Sequence, residues 1–152
     1  VEVNRSELTE LIVARRIEAG VTWQDLADAV DRPVVWTTAA LLGQHPIPRP
    51  EAEILVEKLG LPTDVVALLG AVPVRGTGRD VAVSDPTIYR LYEALAVYGP
   101  ALKELIHEKF GDGIMSAINF SLDIDKVPHD SGDRVVITFD GKFLPYDWVS
   151  GR

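Results

Sequence analysis

Arg90, Glu93 and Ser116 are the residues whose types and positions best suit chemistry. Arg90 and Glu93 lie three apart in Asp85-Pro86-Thr87-Ile88-Tyr89-Arg90-Leu91-Tyr92-Glu93, a spacing that puts both on one face of a helix. A guanidinium holds a planar, carboxylate-like anion through two parallel hydrogen bonds and keeps its charge at any working pH. A glutamate beside it either orients the guanidinium or moves a proton. Alone, such a pair is an ordinary surface ion pair worth little. Here Tyr89 and Tyr92 bracket the arginine on an otherwise apolar helix. Ser116 falls in an alternating row with Ile114, Ile118 and Phe120. Its hydroxyl either bonds back to a neighbour or faces a pocket, and spacing does not choose between them.

Other chemistries have weaker support. The chain has no cysteine, which removes a thiol nucleophile, disulfides and cysteine-ligated metals. His45, His107 and His129 stand far apart, none with a histidine at i+3 or i+4, so no metal site is expected. Gly76-Thr77-Gly78 lacks the Lys-Ser/Thr and preceding strand of a phosphate loop and reads as a turn.

These residues need elements to position them, and the chain changes character along its length. Residues 1–70 read as short helices in an all-α bundle. Asn4 with Glu7, and Thr22 with Asp25, form capping boxes. Gly20, Gly43 and Gly60 act as stops, and Pro33 opens a third helix. A fourth helix is expected from Glu51 and a fifth from Pro62 to Leu69, after the connector from His45 to Pro50. A turn-rich linker follows, and the expected domains are residues 1–80 and 81–152. In the second, Asp85-Pro86 caps and starts a helix. Gly99-Pro100 is expected to break or kink it, with a further helix from Ala101 to Phe110. Beyond Gly113 the pattern alternates, placing Ile114, Ser116, Ile118, Phe120, Leu122 and Ile124 on one strand face. Asp140-Gly141 between Val135–Phe139 and Lys142–Leu144 predicts a type I′ hairpin. The fold class is α+β, and two helices with three strands bury too little surface to be self-sufficient. An obligate oligomer follows, through intermolecular sheet pairing or another extensive interface; the expected arrangement has the strands pairing across an intertwined dimer.

Composition narrows the classes of function. The 152 residues carry 23 acidic against 15 basic side chains, a formal net charge of −8. This argues against nucleic acid as a partner, because phosphate binding rests on clustered Lys and Arg. The pair of helices at Thr22–Val30 and Pro33–Leu42 has helix-turn-helix topology. Yet Arg32 is the only base from Thr22 to Gly43, against Asp25, Asp28 and Asp31, and the second helix offers nothing to a base edge. The charged start of the chain does not read as a signal peptide. The apolar runs, such as Val65–Leu69, are too short to span a bilayer. No membrane partner and a cytoplasmic location are expected.

The run Asp85 to Glu93, followed by Val97-Tyr98-Gly99-Pro100 and by His107-Glu108-Lys109-Phe110-Gly111-Asp112-Gly113-Ile114-Met115-Ser116-Ala117-Ile118-Asn119-Phe120, resembles the cyanase family (cyanate hydratase, cyanate lyase). The resemblance extends over essentially the whole chain. Leu91 stands where many members carry Phe, and Met115 where others carry Ile; the polar residues are kept. The resemblance implies bicarbonate-dependent decomposition of cyanate to carbamate and carbon dioxide, the carbamate then giving ammonia and carbon dioxide. It implies that Arg90, Glu93 and Ser116 are catalytic, with no metal or organic cofactor and bicarbonate as co-substrate. It also implies a homodecamer of five dimers with sites at subunit interfaces, and a helix-turn-helix-like bundle that does not bind DNA.

Overall fold

The first two helices begin where side chains replace missing helix-end hydrogen bonds. In the computed structural model, which describes residues 3–76 and 84–147, α1 spans Arg5–Glu18. Its cap Asn4 accepts from the Ser6 and Glu7 amides, and Glu7 reaches back to the Asn4 amide at 2.8 Å. The same reciprocal box, Thr22 with Asp25, opens α2, Trp23–Ala29; bonding to Thr22 also holds the Asp25 carboxyl below its ordinary range. Asp31, at a φ of 52°, turns the chain into α3, Val34–Leu41, a conformation that Asp tolerates better than most residues. Helix α4 runs Arg49–Lys58 and α5 Val65–Gly70. The fourth therefore starts two residues before the expected Glu51, and the fifth three after Pro62.

Leu8, Ile12, Leu26, Leu41, Leu55 and Leu69 are fully buried together at the centre of these helices. Each such side chain contributes about 1.5–3 kcal/mol. Arg5 ties helix ends to this core: its guanidinium donates to the Ala40 carbonyl at 2.8 Å and to the Leu68 carbonyl at 3.2 Å. Both carbonyls lie near helix C-termini and each also accepts a backbone amide, from Gly43 and Ala71; the partly negative end of a helix suits a cation. Burial lowers the Arg5 pKa.

The chain divides into two units, Val1–Gly76 and Thr77–Arg152. Of the expected Gly76-Thr77-Gly78 turn, Thr77 and Gly78 lie outside the described residues; Gly76 has a φ of 73° and donates to Gln44 Oε1.

In the second unit α6 runs unbroken over Pro86–Phe110 with Pro100 inside it; of the break or kink expected at Gly99-Pro100, the break, and with it the separate helix from Ala101, is overturned. A proline removes one backbone donor, and the other hydrogen bonds of a 25-residue helix carry it through. Asp85 caps it, accepting from the Thr87 and Ile88 amides. Gly111, at a φ of 92°, ends it.

Strands β1, Gly113–Val127, and β2, Arg134–Pro145, then pair antiparallel as a two-stranded sheet. Three strands were expected. Asp140-Gly141 is not a turn: β2 passes straight through it, and the reversal lies at residues 128–133, where the Gly132 amide donates to the His129 carbonyl. The register also breaks. Met115 pairs with Phe143, whereas Phe120 pairs with Gly141. Ser116, Ala117, Ile118 and Asn119 thus bulge opposite Lys142 alone. Three extra residues, an odd number, reverse which face later side chains take. The single face expected for Ile114 through Ile124 is therefore split.

The described part of the second unit has almost no interior. Only Gly113 and Ser116 are buried in it, and α6 buries no residue. Tyr92, Val97, Ile118, Val135 and Phe139 stand between 53 and 97% exposed. A lone hairpin is marginal in water, and apolar surface on this scale marks an interface. Among the described residues no helix is long and apolar enough to cross a membrane.

Two outcomes follow. Half-buried His45 stacks on Trp36 at 5.8 Å, and burial, with Arg75 adding to it, lowers its pKa from 6.5. A base with a depressed folded pKa stabilises the fold above the unfolded value. That contribution is lost as pH falls through the folded value. Wild-type protein should therefore lose more thermal stability between about pH 7.5 and 5 than His45→Phe, which keeps the stack without titrating. Val97→Glu, placing a charge on exposed apolar α6, should shift the protein to smaller species in sedimentation velocity; an unchanged distribution would remove this face of α6 from the interface.

Candidate functional site

Helix α6 presents the charged pair. Arg90 Nη1 donates to Glu93 Oε2 at 2.9 Å, and the two side chains are 70 and 52% exposed. Tyr89 and Tyr92 flank them, about half exposed. The i,i+3 geometry follows from helix pitch, and its exposure makes it a weak stabiliser. What it provides is a cation held at a defined place with donors left for an anion. Glu93 occupies part of the guanidinium fork; Nη2 and the far edge stay open among the described residues.

Ser116 sits in the bulge, 4% exposed. Its Oγ accepts from the Ile118 amide at 3.0 Å and from the Asn119 amide at 2.9 Å. Both alternatives read from the sequence therefore concern one oxygen, and the structure places its lone pairs in the bonding-back arrangement. The hydroxyl proton has no acceptor among the described residues. A hydroxyl that accepts two N–H bonds is polarised into a stronger donor, which suits a small anion.

The described chain brings Arg90 to Glu93, and no hydrogen bond or ion pair brings Ser116 to either. An open depression on the sheet is lined by Asn119, Phe120, Ser121, Asp140, Gly141 and Lys142; it includes none of the three. The bulge, its two amides and the facing Gly141–Lys142 were missed in the sequence. The cue was Asp140-Gly141, which turn chemistry explained too readily.

The histidines serve locally. His107 Nδ1 lies 3.1 Å from the Gly111 carbonyl, and His129 Nδ1 lies 2.9 Å from Ser131 Oγ. Among the described residues no three of His, Asp and Glu converge as metal ligands. In the first unit, Arg32 is bound to Glu51 at 2.7 Å and lies over the Trp36 ring at 4.8 Å. The one base of the helix-turn-helix-like segment is thus occupied by its own chain.

Fold and site define an α+β protein in which a helical unit with its own core precedes one that leaves its apolar surface uncovered, and that second unit carries Arg90, Glu93 and Ser116. Residues 5–73 match the family model described as cyanate hydratase, N-terminal, and residues 80–148 match the cyanate lyase C-terminal domain. The chain is 64% identical over 150 residues to a cyanate hydratase of Mycobacterium avium, covering 99% of this chain and 97% of that one. It is 54% identical over 143 residues to a cyanate hydratase of Pseudomonas syringae pv. syringae, covering 93 and 92%. The crystal structure of cyanase from T. urticae superposes with a TM-score of 0.80 at 37% identity, covering 90% of this chain and 95% of that one. The chain belongs to the cyanate hydratase (cyanate lyase) family and is an enzyme of the lyase class.

Removing the Ser116 hydroxyl should free two amides. In Ser116→Ala, hydrogen exchange at Ile118 and Asn119 should rise about tenfold or more while the ladder from Ser121 to Val127 keeps its protection. Unchanged exchange there would mean that the hydroxyl does not hold the bulge.

Proposed function

We propose that this protein catalyses the bicarbonate-dependent decomposition of cyanate, with Arg90, Glu93 and Ser116 as the catalytic residues. The carrying observation is that Arg90, fixed by Glu93, stands on a helix whose apolar surface the chain itself leaves uncovered. Covering that surface places a cation in a site of low dielectric. The relatives named cyanate hydratase supply the substrate.

Two anions must meet. At about 4 Å they repel by roughly 4 kcal/mol for an effective dielectric of 20. One chain supplies Arg90 as the only base in residues 80–102. Assembly gathers such arginines, which gives the oligomer a catalytic purpose. The subunits form a homodecamer of five dimers, with strands pairing across intertwined dimers and sites at the interfaces. Within each chain, residues 1–80 form the helical domain and residues 81–152 the catalytic and oligomerisation domain.

The reaction balances without a metal or organic cofactor. A bicarbonate oxygen attacks the cyanate carbon, forming a C–O bond and moving a C–N π pair onto nitrogen. The nitrogen takes up one proton from the bicarbonate hydroxyl and one from outside. The bond from the former bicarbonate carbon to the bridging oxygen then breaks, releasing carbon dioxide and leaving carbamate. Carbamate takes a further proton and gives ammonia and a second carbon dioxide. Arg90 binds the carboxylate-like reactant and balances the charge of the dianionic intermediate. Ser116 donates its polarised hydroxyl to an anionic oxygen. Glu93 orients Arg90. Most of the acceleration comes from holding both reactants together, where effective molarities reach about 10⁵ M. A covalent role for Ser116 is disfavoured, because no histidine base adjoins it. The enzyme works in the cytoplasm on a toxic, nitrogen-bearing anion.

The test is ammonia release from cyanate in carbon-dioxide-depleted buffer containing a chelator. Release should require added bicarbonate and ignore the chelator. Arg90→Leu should lower turnover about 10³-fold or more, and Ser116→Ala about 10²-fold, with the oligomer intact. Near-normal turnover in either variant would overturn the assigned roles.

A further inference from the structure

We infer that Gly141 is a positioning residue for Ser116, an inference that rests on the catalytic reading of that serine. Gly141 is the first residue of β2 to regain register beyond the bulge, opposite Phe120. Its φ lies outside the left-handed region, so backbone freedom does not explain the glycine. Space does. A Cβ at this position would collide with Met115 Cγ, would stand 2.5 Å from the Ser116 carbonyl oxygen, and would stand 3.1 Å from Met115 Sδ. A methionine side chain can swing away. The carbonyl is backbone and cannot do so without taking its peptide along. Side-chain Cβ atoms essentially never approach within 3.0 Å, so the Ser116–Ala117 peptide would have to withdraw by about 0.5 Å or more.

That peptide leads directly into the turn Ser116–Asn119, whose two amides anchor on Ser116 Oγ. Only Lys142 stands opposite these four residues, so no ladder of cross-strand bonds fixes them. The bulge is held from within by the serine hydroxyl and from across the sheet by close packing on Gly141. The same contact that makes a side chain intolerable at 141 sets where the hydroxyl proton points. Misplacing a catalytic group by about 1 Å can cost on the order of 10²-fold in rate.

The experiment is a double-mutant cycle on the assembled enzyme, read by kcat for ammonia release with saturating bicarbonate. Gly141→Ala should lower kcat about 10- to 100-fold with a smaller change in KM, and should have little further effect in the Ser116→Ala background. Exchange at the Ile118 and Asn119 amides should rise about tenfold, while that from Ser121 to Val127 stays as in the wild type. A general weakening of the sheet would instead raise exchange along the whole ladder and lower kcat equally in both backgrounds; that result overturns the inference. Gly141→Ala/Met115→Ala, which removes the side-chain part of the collision and leaves the carbonyl part, should behave as Gly141→Ala does. Failure of both variants to assemble also overturns it, since Gly141 would then serve the fold rather than the hydroxyl. Loss of turnover in Ser116→Ala with near-normal turnover in Gly141→Ala overturns the inference alone. Near-normal turnover in Ser116→Ala overturns the reading of the serine, and the inference with it.

Discussion

Apolar surface that its own chain leaves uncovered is the constraint on which the second unit depends. Helix α6 and the two strands place tyrosines, valines, isoleucines and phenylalanines against solvent on both the helix and the sheet. Beyond the β1–β2 ladder, ring contacts within the unit include Phe110 on Phe143 at 5.1 Å and Phe120 edge-on to Phe139 at 5.7 Å. A unit of this kind gains its hydrophobic stabilisation only when other chains cover it. On the proposed reading, burial in an assembly would also remove water from around Arg90, and electrostatic attraction to anions strengthens as the dielectric falls.

The first unit contrasts with this at every level. Its first two helices open on capping boxes, a cluster of leucines and isoleucines is buried at its centre, and several charges are used internally: Arg5 on helix-end carbonyls, Arg32 on Glu51 and Trp36, Arg16 on the Trp23 ring. In the helix-turn-helix-like segment the one base, Arg32, is engaged by Glu51 and the Trp36 ring. Stability here comes from two capping boxes and a core buried within the unit itself.

Sequence reasoning worked where the deciding forces are local. Both capping boxes and the Arg90–Glu93 pair depend on residues three apart, and all three are where spacing put them. It also anticipated a second unit too small to bury its own surface. Longer-range competition defeated it. Gly99-Pro100 is a helix breaker in isolation, yet one lost donor is outweighed in a helix of 25 residues. Alternation from Ile114 to Ile124 assumes a regular strand, and no periodicity reveals three inserted residues that two amides and one hydroxyl hold in place. Asp140-Gly141 misled for a related reason. Turns and close approaches both select glycine, and only the partner strand distinguishes them. Spacing did not reveal that Ser116 bonds back to the Ile118 and Asn119 amides, because that arrangement depends on the bulge.

The central proposal is that the sites lie at subunit interfaces, where one site can draw its arginine and its serine from different subunits. Mixing provides the most direct measurement. Arg90→Leu and Ser116→Ala proteins, each assembled and nearly inactive alone, are dissociated together, reassembled and assayed for ammonia release from cyanate with bicarbonate. Shared sites predict activity well above either parent, because some interfaces then combine an intact Arg90 with an intact Ser116. Activity no higher than that of the parents, in hybrids shown to contain both subunits, would contradict the account and place each site within a single chain.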